Sequence, residues 1–239
     1  MSWAEIGDAL NSTKKNPNLF KPLDEWLKFR GGDIAYEYES AGTFSLTVPE
    51  WATIAIVTAC GGGGGGGWGD AYYVDEYTEV FPVGGGGSGG AAVYNQIYNV
   101  TGGSSLSITV GKGGSGAIQN SSTNATNGES TIIGSLVTLA GGNKGGNAPS
   151  KGDSEVNGTG GASAGAGSGK GGSGTVGSNG IAGSGGQVKG GGGGSLGNGG
   201  NWVASPSKGG GGAGGTYNNS NNRSIGQAGA DGYVRIVFK

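Results

Sequence analysis

The stretch TFSLTVPEWATIAIVTACGGGGGGG, residues 43–67, decides the fold. Its opening alternates Phe44, Leu46 and Val48 with Thr43, Ser45 and Thr47, the period of a half-buried β-strand. After Pro49, residues 53–60 are apolar or small on both faces, as in a strand covered on both sides. Seven glycines follow without a break. Glycine has no side chain to pack and loses the most conformational entropy on ordering. A run of seven directly behind a buried strand therefore needs a structural reason.

The rest of the chain supplies one. Glycine makes up 62 of 239 residues, and further runs occupy 84–87, 190–194 and 209–212. Between Gly171 and Gly186 glycine recurs at every third position. Three residues per turn is the period of the polyproline II helix, which has no internal hydrogen bonds. Buried copies must satisfy their N–H and C=O groups on neighbouring copies. Such close packing leaves no room for Cβ at a contact position. A helix touched on one side needs glycine at every third position, and one surrounded on all sides needs it nearly everywhere. Both patterns occur. A seven-residue run would span roughly 22 Å at about 3.1 Å per residue, which sets the height of the expected bundle.

Strands bracket these tracts. Leu106, Ile108 and Val110 alternate with Ser105, Ser107 and Thr109, residues 132–140 form a further candidate strand, and Val234, Ile236 and Phe238 close the chain. The pattern predicts an all-β, antiparallel sandwich with glycine-rich insertions. Ahead of it, residues 2–10 have a Ser2–Glu5 capping box with Trp3, Ile6 and Leu10 on one face. Residues 22–30 start at Pro22 and end at Gly31-Gly32, with Leu23, Trp26 and Leu27 on one face. The expected division is a helical attachment segment, 1–30, and a glycine-rich domain, 31–239. The two short helices need a surface to dock on, either their own domain or another subunit.

Composition excludes several functions. There is no histidine, so the usual general base and metal ligand is missing. A single cysteine, Cys60, allows neither an intrachain disulfide nor a cysteine-cluster zinc site, and its place in a buried strand makes it structural. The net charge of −2 argues against nucleic acid, and polyglycine is not apolar enough to span a membrane. Gly167, Gly169 and Gly172 match G-x-G-x-x-G, but at this glycine density such matches arise by chance. Gly169-Lys170 is followed by Gly171, so no P-loop exists. Six prolines and no chain-long Gly-X-Y period exclude collagen. No cofactor and no metal site is expected; acids at 70–79 permit a bridging Ca²⁺ without implying one. The N-terminus lacks the basic start and apolar stretch of a secretion signal, so synthesis in a cytoplasm is expected.

The best binding candidate is the insertion 68–83. It mixes Trp68, Tyr72, Tyr73, Tyr77 and Phe81 with Asp70, Asp75, Glu76 and Glu79. Aromatic faces flanked by carboxylates suit sugar rings; the alternative is that the aromatics cover the glycine bundle while the acids face water. Tyr94, Tyr98, Trp202, Tyr217 and Arg223 form a second group, for which packing is the competing explanation. Asp75 and Glu76 are adjacent, and nothing else supports hydrolysis, so no catalytic residue is assigned.

Phe44-Ser-Leu-Thr-Val-Pro49-Glu-Trp-Ala-Thr-Ile54-Ala-Ile56-Val-Thr-Ala-Cys60, followed by Gly61 to Gly67, resembles the opening of the glycine-rich domain of bacteriophage tail fibres. That family then shows a strand ending in Val-Gly-x-Gly-Gly, here Ile108-Thr-Val-Gly111-Lys-Gly-Gly114. It closes on Gly-x-Asp-Gly-x-Val-x-Ile, here Gly229-Ala-Asp231-Gly232-Tyr-Val234-Arg-Ile236. Trp3-Ala-Glu-Ile-Gly-Asp-Ala-Leu-Asn-Ser and Phe20-Lys-Pro-Leu-Asp-Glu-Trp look like the start of tail proteins from phages of Gram-positive bacteria. The strand-bracketed layout looks like a jelly-roll with a polyglycine II bundle inserted, which departs from fibre-tip adhesins and prevents carrying receptor loops over. The resemblance implies a virion component at the tail fibre or tail tip. Its implied role is that of a non-enzymatic, homotrimeric receptor-binding protein contacting a host-surface glycan and other tail-fibre or baseplate proteins. A purely structural spacer or cap is the main alternative. An ice-binding protein is a weaker one, because no repeated Thr-x-Thr ladder appears along the chain.

Overall fold

The computed structural model describes residues 35–69, 72–73, 79–80, 84–118, 124–148, 195, 206, 208–215 and 225–239. The attachment segment 1–30, the period-three tract 171–186 and the run 190–194 lie outside these residues. Among the described residues there are ten strands: β1 (Ala35–Tyr38), β2 (Gly42–Thr47), β3 (Ile54–Cys60), β4 (Tyr72–Tyr73), β5 (Glu79–Val80), β6 (Ala92–Asn99), β7 (Ser105–Val110), β8 (Thr131–Ile133), β9 (Val137–Leu139) and β10 (Tyr233–Phe238).

Two four-stranded sheets run in the orders β1-β10-β3-β6 and β2-β7-β8-β9. β3 lies antiparallel to both neighbours, with Ile236 opposite Val57 and Tyr98 opposite Ala55. The alternating side chains read from the sequence meet between the sheets: Val57, Val234 and Ile236 from one, and Leu106, Ile108, Ile133 and Leu139 from the other. The all-β sandwich expected from the strand pattern is the observed architecture. The far end of β3 is also buried on its second face, at Thr58 and Cys60.

Two details differ from the sequence pattern. Residues 132–140 form the hairpin β8–β9 instead of one strand. Gly134 takes φ 47° and starts the reversal, its N–H bonded to Ser107 O at 2.7 Å. β6, the longest strand, shows no clean alternation because it carries a β-bulge. Tyr94 and Asn95 together oppose Thr58, Asn95 has φ 47°, and the Thr58 hydroxyl bonds both the Asn95 N–H and its Oδ1. One extra residue reverses the in–out parity, so periodicity alone misses the strand.

The glycine tracts form a hexagonal bundle. Segment 61–67 is its centre. Its seven N–H groups donate in strict rotation to Ala91, Glu129 and Ala230, then Ser88, Thr126 and Gln227, then Gly85, at 2.9–3.0 Å. The carbonyls of Gly62 to Gly67 accept in the same rotation from Gly142, Gly114 and Gly212, then Gly145, Ala117 and Gly215, at 2.7–2.9 Å. The period of three identifies polyglycine II, a polyproline II helix bonded sideways. Six arms therefore surround the centre, in ring order 84–91, 141–148, 124–130, 111–118, 225–231 and 209–215. Each arm bonds both its ring neighbours. Directions alternate around the ring, so every ring neighbour is antiparallel.

The steric rule follows directly. A Cβ on Gly61 to Gly67 would meet, in turn, the carbonyls of Ala140, Lys112, Gly210, Asn143, Ser115, Ala213 and Gly146. On the outer arms the centre-facing rows are forbidden, as Gly84, Gly87 and Gly90 face the carbonyls of Gly67, Gly64 and Gly61, and so are rows facing a ring neighbour, as Gly113 faces the Gly229 carbonyl and Gly145 that of Gly85. Arms 84–91 and 209–215 are buried throughout, and Ser195 donates its hydroxyl to Gly90 O at 2.7 Å.

Both sheets feed the bundle. β3, β7 and β9 run on into 61–67, 111–118 and 141–148, while 84–91, 124–130 and 225–231 run into β6, β8 and β10. The domain thus has a sandwich end and a bundle end. Tyr36 stacks edge-on against Phe238 at 5.7 Å, so the chain enters at the sandwich end. Trp68, Gly84, Ile118, Asn124, Gly215 and Ile225 lie at the other, distal end.

Candidate functional site

The distal end is where the topology assembles chain reversals. Trp68 follows the last centre glycine and is half-buried. Its N–H donates to Asn147 Oδ1 at 3.3 Å, and its carbonyl accepts the Ala148 N–H at 2.8 Å. Asn147 Nδ2 donates to Asn124 Oδ1 at 3.2 Å. Ile118 and Ile225 form an antiparallel bridge across two arm ends, with Ile225 exposed. Beyond Trp68 the chain forms the short hairpin β4–β5, with Tyr72 opposite Val80 and Tyr73 opposite Glu79.

Of the sequence candidates, the structure places Trp68, Tyr72, Tyr73 and Glu79 on one segment springing from this end. Asp70, Asp75, Glu76 and Tyr77 belong to the same segment but lie outside the described residues, as do Trp202, Tyr217 and Arg223. The attachment residues Trp3, Ile6, Leu10, Leu23, Trp26 and Leu27 lie outside them too. Tyr94 and Tyr98 are not brought to the distal end. They sit on β6, an edge strand of the sandwich. Tyr94 is 75% exposed. Tyr98 packs on the core, and its hydroxyl is buried without a hydrogen-bond partner among the described residues. That burial pushes the Tyr98 phenol above its ordinary value. Asn124 and Asn147 are missed by the sequence reading, because nothing local distinguishes them among many asparagines.

A groove of about 360 Å³ lies at the bundle's root, lined by Glu39, Lys208, Ala230, Asp231, Gly232 and Tyr233. Its polar groups are engaged. Lys208 Nζ sits 4.3 Å above the Tyr233 ring and 3.9 Å from Glu39 Oε1. Asp231 accepts the N–H groups of Gly113 at 2.9 Å and Ala41 at 3.1 Å. Burial raises the Tyr233 phenol, helped by the Glu37 carboxylate and opposed by Arg235. The groove is a joint, built from the Gly-x-Asp-Gly-x-Val-x-Ile motif. Cys60 is buried with its thiol on Lys208 O at 3.1 Å, in keeping with a structural role.

The outer face of β2 and β7 carries a feature that neither segment shows alone. Thr43, Ser45 and Thr47 lie beside Ser105, Ser107 and Thr109. Four of these hydroxyls pair across the strands, Thr43 with Thr109 at 3.3 Å and Ser45 with Ser105 at 3.1 Å. Among the described residues no group of three or more acidic or cysteine side chains is placed to hold a metal ion.

Residues 39–239 match the glycine-rich domain family, and the chain belongs to that family. The match starts at the β1–β2 connection and ends with β10, so it takes in the bundle and every sandwich strand except β1. No curated protein matches the chain.

Proposed function

We propose that this chain is a non-enzymatic receptor-binding protein of a phage tail fibre or tail tip, recognising a host-surface glycan through the distal end of its glycine bundle. One observation carries the reading: chain entry and the distal reversals lie at opposite ends of one domain. A bundle whose central N–H groups and Gly62–Gly67 carbonyls are bonded sideways is stiff and poor in side chains. Recognition therefore falls to the segments at its end, and 68–83 is the richest in aromatics. Attachment through 1–30, trimerisation and residence in the virion belong to the same proposal. The ice-binding alternative draws little from β2 and β7, where the Thr43–Thr109 and Ser45–Ser105 hydroxyls bond each other.

The test is adsorption. Fluorescently labelled full-length protein should bind host cells and not unrelated strains. Changing Trp68, Tyr72, Tyr73 and Tyr77 to alanine should abolish that binding while the melting temperature holds. Adsorption that survives these changes would move the site elsewhere. No adsorption by a confirmed oligomer would favour a structural spacer.

A further inference from the structure

A polyglycine II helix sends out its N–H groups in three rows about 120° apart. Arms 111–118, 141–148 and 209–215 each give one row to the centre, so their other two rows point out of the ring. An outward N–H invites a further glycine helix, as an exposed sheet edge invites a further strand. Among the described residues, six of these outward N–H groups already bond a side-chain oxygen of a neighbouring arm. On arm 124–130, Thr126 Oγ1 accepts from Ser115 at 2.8 Å, Asn127 Oδ1 from Lys144 at 2.9 Å and Glu129 Oε2 from Lys112 at 3.4 Å. On arm 225–231, Asp231 Oδ1 accepts from Gly113 at 2.9 Å and Gln227 Oε1 from Ala213 at 3.3 Å. Ser88 Oγ, on arm 84–91, accepts from Asn143 at 2.8 Å.

These caps bridge five of the six seams between ring neighbours. The seam between 84–91 and 209–215 has none among the described residues, and it is the one whose two arms are buried throughout. There Ser195 bonds Gly90 O instead. Oxygen caps stand where the bundle meets water, and bare glycine where it is covered. Water can satisfy an exposed N–H too, so satisfaction alone does not call for a side chain. What a tethered oxygen adds is that the donor is already taken. A second copy would bring the matching acceptors, since two carbonyl rows of arm 111–118 serve its ring neighbours and the third faces out. We infer that the caps close the flank of the bundle against the glycine arms of a second copy, so that the hexagonal packing ends at one ring.

Thr126→Ala, Asn127→Ala and Glu129→Ala together free three exposed N–H groups on two arms. In sedimentation velocity of the full-length chain, this triple variant should self-associate at least about tenfold more tightly than the wild type. Thr126→Ser with Glu129→Gln keeps the oxygens and also removes the Glu129 charge, so it should sediment as the wild type does. Hydrogen exchange places the contact: the Ser115 and Lys144 amides should be slow in the associated variant and fast once it is diluted. A folded triple variant that sediments as the wild type overturns the inference. So does association confined to molecules that have lost amide protection in 61–67, or equal association of the oxygen-keeping control. If the triple variant does not fold, Gln227→Ala opens the cap on arm 225–231, and the same outcomes decide.

Discussion

Glycines in this chain answer to two different constraints. Gly64 has no space for a methyl group, since its Cβ would fall on the Asn143 carbonyl. Gly103 has space, with only Glu50 Cγ 4.0 Å away, but its φ of 73° is disfavoured for L-residues. Gly64→Ala should cost on the order of 4 kcal/mol or more and leave little folded protein. Gly103→Ala should cost about 1–2 kcal/mol, the penalty of a left-handed backbone alone. Urea denaturation of the two variants checks the contrast; equal losses would refute the steric account of the centre arm. Tyr98 supplies the opposite case. Its buried hydroxyl bonds nothing among the described residues, so Tyr98→Phe removes an unsatisfied group. It should be neutral or stabilising by up to about 1 kcal/mol, with host-cell adsorption unchanged. Loss of adsorption in a folded Tyr98→Phe protein would return Tyr98 to the receptor site.

At the scale of elements, the joints between strands and arms hold the register. Thr131 is fully buried where β8 begins; its hydroxyl accepts the Gly111 N–H at 3.0 Å and donates to Cys60 O at 2.8 Å. It thereby ties the ends of β7 and β3, which belong to different sheets. Thr131→Val keeps the shape and strands both backbone groups, so a loss of about 2 kcal/mol in chemical denaturation is expected. Asp231 does the equivalent at β10, inside a motif that the residue pattern alone makes visible. Its glycines are there for space: Gly229 faces the Gly63 carbonyl, and Gly232 lies against Thr131 Oγ1 and Cys60 O. The elements that the sequence hides share one cause. Local irregularity, the bulge in β6 and the turn at Gly134, breaks the period that makes a strand visible.

For the whole molecule, ionisation sets an alkaline limit. Tyr38, Tyr98 and Tyr233 are each raised above the ordinary value near 10, chiefly by burial. Folded protein then holds these protons when unfolded chains have released theirs. Their contribution is complete below pH 10 and is lost as the pH climbs through the raised values. Melting temperature should fall above about pH 10, and the fall should be shallower in Tyr98→Phe. An identical slope would mean that Tyr98 titrates normally.

What the residues alone determined is where a side chain cannot be. Cβ exclusion acts position by position, so unbroken glycine marks a surrounded helix and spaced glycine a flanked one, as segments 61–67 and 225–231 demonstrate. The core strands at 43–48, 105–110 and 234–238 were legible for a local reason too, alternation; their partners were not. Which arm neighbours which was not. A polyglycine II helix makes no hydrogen bond within itself, so its only bonds are to other segments, and no local period names them. The ring order, and with it the meeting of Trp68, Asn124 and Asn147 at one end, was decided only when the two sheets fixed where each arm enters the bundle.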